Sequence, residues 1–187
     1  MDLGLIIALI IVAIIIFGIV IYNKLVKNRQ LVEEGWSGID VQLKRRANLI
    51  PNMLETVKGY MDHESDTLKA VTEARAAVQG AGNSSPAERA GLEGMLSGAL
   101  GRLMAVAESY PDLKANTTFL EFQDTLRNVE DEIQLSRRYY NGAVRNMNVL
   151  VESFPSNLVA NQFNFTMAEY FELENEADRA VPKVDFN

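Results

Sequence analysis

The chain has 187 residues, a formal net charge of −7, one histidine and no cysteine. The missing cysteine excludes disulfide frameworks, thiolate zinc sites and cysteine nucleophiles. The acidic balance lacks the basic footprint that broad nucleic-acid binding requires.

All nineteen residues from Leu3 to Ile21 are apolar or glycine. At ~1.5 Å per residue a helix of this length spans roughly 28 Å, about the hydrocarbon thickness of a bilayer. A cleaved signal peptide would have a basic start, a shorter apolar core and a small-residue cleavage site. Met1-Asp2 and the sequence Val20-Ile21-Tyr22-Asn23-Lys24 have neither flank. A buried core helix is the other alternative, and such segments are usually shorter. A retained membrane anchor is therefore expected, with a weak small-residue pair at Gly4 and Ala8. Tyr22 and the cations Lys24, Lys27 and Arg29 suit the interface after the span, the cations as headgroup contacts. The positive-inside rule then places the N-terminus outside a cell (inner) membrane and the bulk of the chain in the cytoplasm.

Beyond the span, strand-like alternation is scarce. A heptad with a at Tyr22, Arg29, Trp36, Leu43, Ile50, Val57, Glu64, Val71 and Val78 keeps its phase across Pro51. Its d positions include Leu25, Val32, Ile39, Arg46, Met53 and Tyr60. The pattern predicts one long helix to Gln79, kinked at Pro51, followed by a loop over 80–84. Ser85, Pro86 and Glu88 then read as N-cap, N1 and capping-box partner of a second helix. Its stripe is Leu92, Leu96, Ala99, Leu103 and Val106, and Gly91, Gly94, Gly98 and Gly101 suggest close approach of a neighbouring helix. Pro111 ends that segment.

The third helix has the sharpest repeat. Phe119, Leu126, Ile133, Tyr140, Met147 and Phe154 recur every seven residues, with Phe122, Val129, Ser136, Ala143 and Leu150 between them. Thr118 and Glu121 suggest its capping box, and Pro155 its stop. A short fourth helix is expected around 166–180. The predicted fold is all-α: a single N-terminal transmembrane helix continuing into a long antiparallel bundle of three long helices and a short fourth. The expected limits are 1–22 for the anchor, 23–180 for the bundle and 181–187 for the tail.

Several motifs along this pattern are distinctive. They are Trp36-Ser37, Asp40-Val41-Gln42-Leu43-Lys44-Arg45-Arg46, Leu49-Ile50-Pro51-Asn52, Glu55-Thr56-Val57-Lys58-Gly59-Tyr60, Tyr110-Pro111-Asp112-Leu113-Lys114-Ala115-Asn116, Tyr140-Asn141 and Phe154-Pro155. From about Tyr22 to Phe171 the chain closely resembles the LemA family. The resemblance implies a single-pass bacterial or archaeal membrane protein with a cytoplasmic helical bundle. That family has no established catalytic activity, so it supplies no catalytic residues. Two positions depart from its usual pattern: Asn164, where relatives often have glycine, and Gly35, where alanine is usual before Trp-Ser.

The residues themselves offer little chemistry. His63 is the only histidine, which removes a two-histidine zinc motif, and Tyr60 stands where an E-x-x-H di-iron pattern needs its glutamate. An exposed helical position is the plain reading of His63. Lys44-Arg45-Arg46 could meet lipid headgroups, although Arg46 on the d seam fits an internal ion pair equally well. No catalytic, cofactor or metal residues are assigned, and no cofactor is expected. Val32, Trp36, Ile39 and Leu43 form an apolar seam that an up-down arrangement of the predicted helices leaves without a partner. They are therefore expected at a homo-oligomer interface. The expected partners are the lipid bilayer, further copies of the chain and membrane or cytoplasmic proteins, without nucleic acid. The reading is a membrane-anchored helical scaffold; an extracytoplasmic helical-bundle sensor or adaptor is the alternative. A hydrolase finds no nucleophile constellation or phosphate loop in the sequence.

Overall fold

A computed structural model describes residues 3–82 and 84–172. Six α-helices, and no strand, occur among the described residues: α1 Leu3–Lys58, α2 Ser65–Gly80, α3 Pro86–Ala107, α4 Pro111–Lys114, α5 Thr117–Glu152 and α6 Ser156–Gln162. They form two compact units. The first draws on the chain up to Ile39 and on Leu135–Tyr170, the second on Asp40–Gln134. The continuous helices α1 and α5 contribute to both.

In the first unit the apolar stretch of α1 is long and apolar enough to cross a membrane, and only 6% of its most apolar window is buried. A core helix would be mostly covered, so that reading is excluded. α5 runs antiparallel to α1. Tyr140 lies beside Gly35 and Trp36, whereas Met147 and Leu150 cluster further back along α1 with Ile21 and Leu25. A Cβ on Gly35 would stand 3.1 Å from the Tyr140 Cα, so glycine here permits close approach of the two helices. The chain turns through α6 and comes back along the same helices. Asn164 turns this return with φ 57°, a left-handed conformation that asparagine tolerates and that glycine adopts freely. The buried Asn148 amide then grips the Ala168 backbone at both ends, donating to its carbonyl (3.0 Å) and accepting from its N–H (2.8 Å).

The second unit is built on the last turns of α1, on α2, α3 and α4, and on the start of α5. Its core joins Ile50, Met53 and Val57 of α1 to Val71 and Val78 of α2, Leu96, Leu100 and Leu103 of α3, and Phe119 of α5. Fully burying such a side chain contributes about 1.5–3 kcal/mol. Ser85 caps α3 as expected: its hydroxyl accepts from the Glu88 N–H at 3.3 Å, and the Glu88 carboxylate accepts from the Ser85 N–H at 3.1 Å. α5 is capped differently from expectation. Asn116, not Thr118, accepts from the Phe119 N–H at 3.0 Å.

Four other expectations are corrected. α1 passes through Pro51 but ends at Lys58, and 59–64 form a loop before α2. The Met61 N–H bonds back to the Val57 carbonyl at 3.0 Å, and the Met61 side chain is buried in the core. The repeat keeps its phase across this break because α1 and α2 face the same core. His63 accordingly lies exposed in a turn rather than on a helix. Gly91, Gly94, Gly98 and Gly101 are exposed, and a Cβ at each would meet open space, so they do not serve close helix approach. Finally, 166–172 is not helical, since Asn164 has turned the chain and Asn148 occupies the Ala168 backbone. The short helix after α5 is α6; the rest of the expected 166–180 helix and the 181–187 tail lie outside the described residues.

The exposed glycines give a direct expectation. Gly94→Ala and Gly98→Ala should each stabilise the chain by about 0.5–1 kcal/mol, because alanine has the higher helix propensity and loses less entropy on folding. Chemical denaturation of the single and double variants checks both size and additivity.

Candidate functional site

Arg46 is the most unusual side chain of the second unit, being charged and almost fully buried. It lies in α1 in phase with Ile50, Met53 and Val57. One guanidinium nitrogen donates to the Ser97 hydroxyl at 2.8 Å and to the Glu130 carboxylate at 2.7 Å. The other donates to the Glu93 carbonyl at 3.3 Å and makes a close ion pair with its carboxylate. Glu93 is equally buried, and its second oxygen accepts from Arg89 Nε at 3.0 Å. Arg89 also donates to the Ala81 carbonyl at 3.2 Å and lies 3.7 Å from Asp40, which pairs with the exposed Lys44 at 2.6 Å.

One arginine thus ties α1 to α3 and α5, while Arg89 holds the end of α2. Two buried cations are matched by Glu93 and by the partly exposed Glu130 and Asp40. This arrangement can fix helix register, since both guanidinium end nitrogens of Arg46 are paired, while its buried Nε has no hydrogen-bond partner among the described residues. Of the two readings of Lys44-Arg45-Arg46, Arg46 takes the internal ion pair. Lys44 and Arg45 remain at the surface.

The first unit holds an aromatic cluster at the end of the apolar stretch. Tyr22 meets Phe163 and Phe165 edge-on at 4.8 and 5.8 Å between ring centres. The Arg29 guanidinium lies over Phe165 at 5.3 Å. Lys24, Lys27 and Arg29 are all exposed. Trp36 packs on Tyr140 at 5.5 Å. The Tyr140 hydroxyl donates to the Glu169 carbonyl at 2.8 Å. Burial first, and the Glu169 charge second, push its pKa up to about 12.

The expected oligomer seam needs correction. Ile39 and Leu43 are fully buried within a single chain, and Val32 and Trp36 are half-buried. Val32 packs on the cluster of Ile21, Leu25 and Met147, and Trp36 on Tyr140. The premise that no element of the chain reaches this seam fails because α5 returns antiparallel along this part of α1. Among the described residues no cluster of three or more His, Asp or Glu side chains is disposed to hold a metal.

Sequence reasoning missed Glu93, although a signal was present. It stands three, seven and ten residues before Leu96, Leu100 and Leu103, on the face that α3 buries. It also missed Asn148 and the cluster around Tyr22, whose members are far apart in sequence.

A family model described as the LemA family matches residues 35–186. The chain belongs to the LemA family. Protein LemA of Metamycoplasma hominis is 29% identical over 150 residues, which cover 79% of this chain and 67% of that protein. Magnetosome protein MamQ 2 of Paramagnetospirillum magneticum is 27% identical over 169 residues, or 78% of this chain and 62% of that protein. Magnetosome protein MamQ of Magnetospirillum gryphiswaldense is 24% identical over the same length and shares. The chain thus spans roughly two thirds of the length of these relatives. The LemA match includes the Arg46–Glu93–Glu130 network and the Tyr140 contacts, so this membrane-associated chain carries them inside its family domain.

The tyrosine shift has a measurable consequence. A folded-state pKa above the unfolded value of about 10 leaves the native state holding more protons between those pH values, so stability falls as pH rises there. Tyr140→Phe removes this contribution. Its urea midpoint should therefore fall less than that of the wild type between pH 9 and pH 11, whereas equal slopes would assign the alkaline loss to other groups.

Proposed function

We propose that the chain is a single-pass, membrane-anchored helical scaffold without catalytic activity. Its N-terminus lies outside and its bulk in the cytoplasm, and it associates with further copies of itself. One observation carries this reading: the exposed apolar stretch and the buried core residues of Asp40–Lys58 belong to one unbroken helix. The exposed Lys24, Lys27 and Arg29 at the end of the stretch support the cytoplasmic side. Two relatives are named for a magnetosome and none of the three for a reaction, which favours a structural role. Confinement to a plane raises the effective concentration of copies and so promotes self-association. The buried seam of Ile39 and Leu43 cannot supply that contact, so it uses another face.

Protease added to intact spheroplasts should leave a C-terminal tag uncut, and lysis should expose it. Cleavage before lysis would favour an extracytoplasmic sensor or adaptor. Mass measurement of the detergent-solubilised protein tests self-association, and a monomer at all working concentrations would remove that part of the reading.

A further inference from the structure

We propose that the turn between α5 and the returning segment, residues 153–163 with α6 at its centre, is a second membrane-contacting element that inserts into the lipid interface beside the transmembrane stretch. This rests on the reading that Leu3–Ile21 spans a bilayer. The first unit is a hairpin packed on α1. α5 descends from Tyr140, beside Trp36, to Met147 and Leu150 in the cluster with Ile21 and Leu25. The return then brings Phe165 to Tyr22, Ala168 to Asn148 and Glu169 to Tyr140. The tip of the hairpin therefore lies at the low end of α1. Val159 and Phe163 of the tip line an open groove with Ile15, Gly18, Ile19 and Tyr22.

Depth follows from helix geometry. The groove residues of α1 lie within ~10 Å of Tyr22 at 1.5 Å per residue, inside the apolar stretch. Interfacial helices bury their apolar face by about 5–10 Å, the same range. Whatever medium bathes α1 at this level also bathes the tip, and the tip suits lipid. No charged residue occurs from Ser153 to Ala168. Phe154, Leu158 and Phe163 are 80%, 61% and 56% exposed. The tip backbone is bonded internally: the Asn157 N–H bonds to Ser153 at 2.8 Å, Phe163 to Val159 at 3.1 Å and Phe165 to Ala160 at 2.9 Å. That satisfaction is what an apolar medium demands. The exposed cations Lys24, Lys27 and Arg29 begin just beyond the groove, where headgroups would lie.

Because the chain has no cysteine, Phe154→Cys and Leu158→Cys each give a single labelling site in this chain. Ile14→Cys reports on the span and Met95→Cys on α3; both parent side chains are exposed. Nitroxide labels are read in vesicles of mixed zwitterionic and anionic phospholipid, by collision with oxygen, which partitions into lipid, and with a water-soluble nickel chelate. Labels at 154 and 158 should favour oxygen over nickel, as at 14, with the opposite preference at 95. If 14 favours oxygen while 154 and 158 favour nickel, the span stands and the inserted tip is overturned. If 154 and 158 are shielded from both reagents and open on dilution with excess lipid, a second copy covers the tip and the proposal is also overturned. Nickel access at 14 would overturn the span itself, and the tip with it.

Discussion

Glu93→Leu is expected to lower the stability of the chain by about 5 kcal/mol, and Arg46→Met by about 3 kcal/mol, at the two ends of the range for breaking a buried ion pair. The asymmetry follows from the network. Without Glu93, Arg46 and Arg89 lose the carboxylate between them. A guanidinium cannot shed its charge, so Arg89 keeps only Asp40 at 3.7 Å and the Ala81 carbonyl. Without Arg46, Glu93 still accepts from Arg89, and Glu130, about a third exposed, can turn to water. The double variant Arg46→Met/Glu93→Leu should be less destabilised than the sum of the two, since removing both charges leaves fewer unpaired groups. Guanidinium unfolding in detergent micelles, followed by helicity, measures all three. Additive losses below about 1 kcal/mol each would show a solvated pair of the surface kind.

The same network shows what the sequence makes legible. A repeat of apolar positions reports which side chains face a core. Arg46 and Glu93 each stand in phase with such a repeat, and two opposite charges in two seams are a readable signal that they meet. Phase does not report continuity. The helix passes through Pro51 as expected, a single proline being tolerated between core residues on both sides, but the chain turns eight residues later at Gly59. The α3 glycines misled for a related reason: small size permits close packing but does not demand it, and these face open space. The α6 turn was hidden because seven residues give too short a window for periodicity. Asn148 was hidden because its partner is backbone, which carries no sequence signature. The LemA-like motifs identified the family, but a motif does not say that Trp36 meets Tyr140 within one chain.

Ile39 decides between the two accounts of the apolar seam. On an intersubunit face, Ile39→Glu would dissociate the particle and leave the helices intact. Ile39 is instead fully buried in a single chain, so the variant is expected to unfold it. A carboxyl in such a site is held neutral, which at pH 7 costs about 4 kcal/mol relative to an unfolded value near 4.3. Replacing packed isoleucine by an unpartnered polar group adds roughly 1–3 kcal/mol. Their sum approaches the whole stability of an ordinary domain, about 5–15 kcal/mol. The pH dependence identifies the cause. The folded-state pKa of the new carboxyl lies above its unfolded value, so stability is lost as pH rises and should recover by about 2–3 kcal/mol from pH 7 to pH 5. Val41→Glu, two residues on at an exposed position, should stay within about 0.5 kcal/mol of the parent. Helicity and particle mass followed together separate the outcomes. Falling helicity that acid restores places Ile39 in the core, whereas a drop in mass with unchanged helicity and melting would return the seam to the interface between copies.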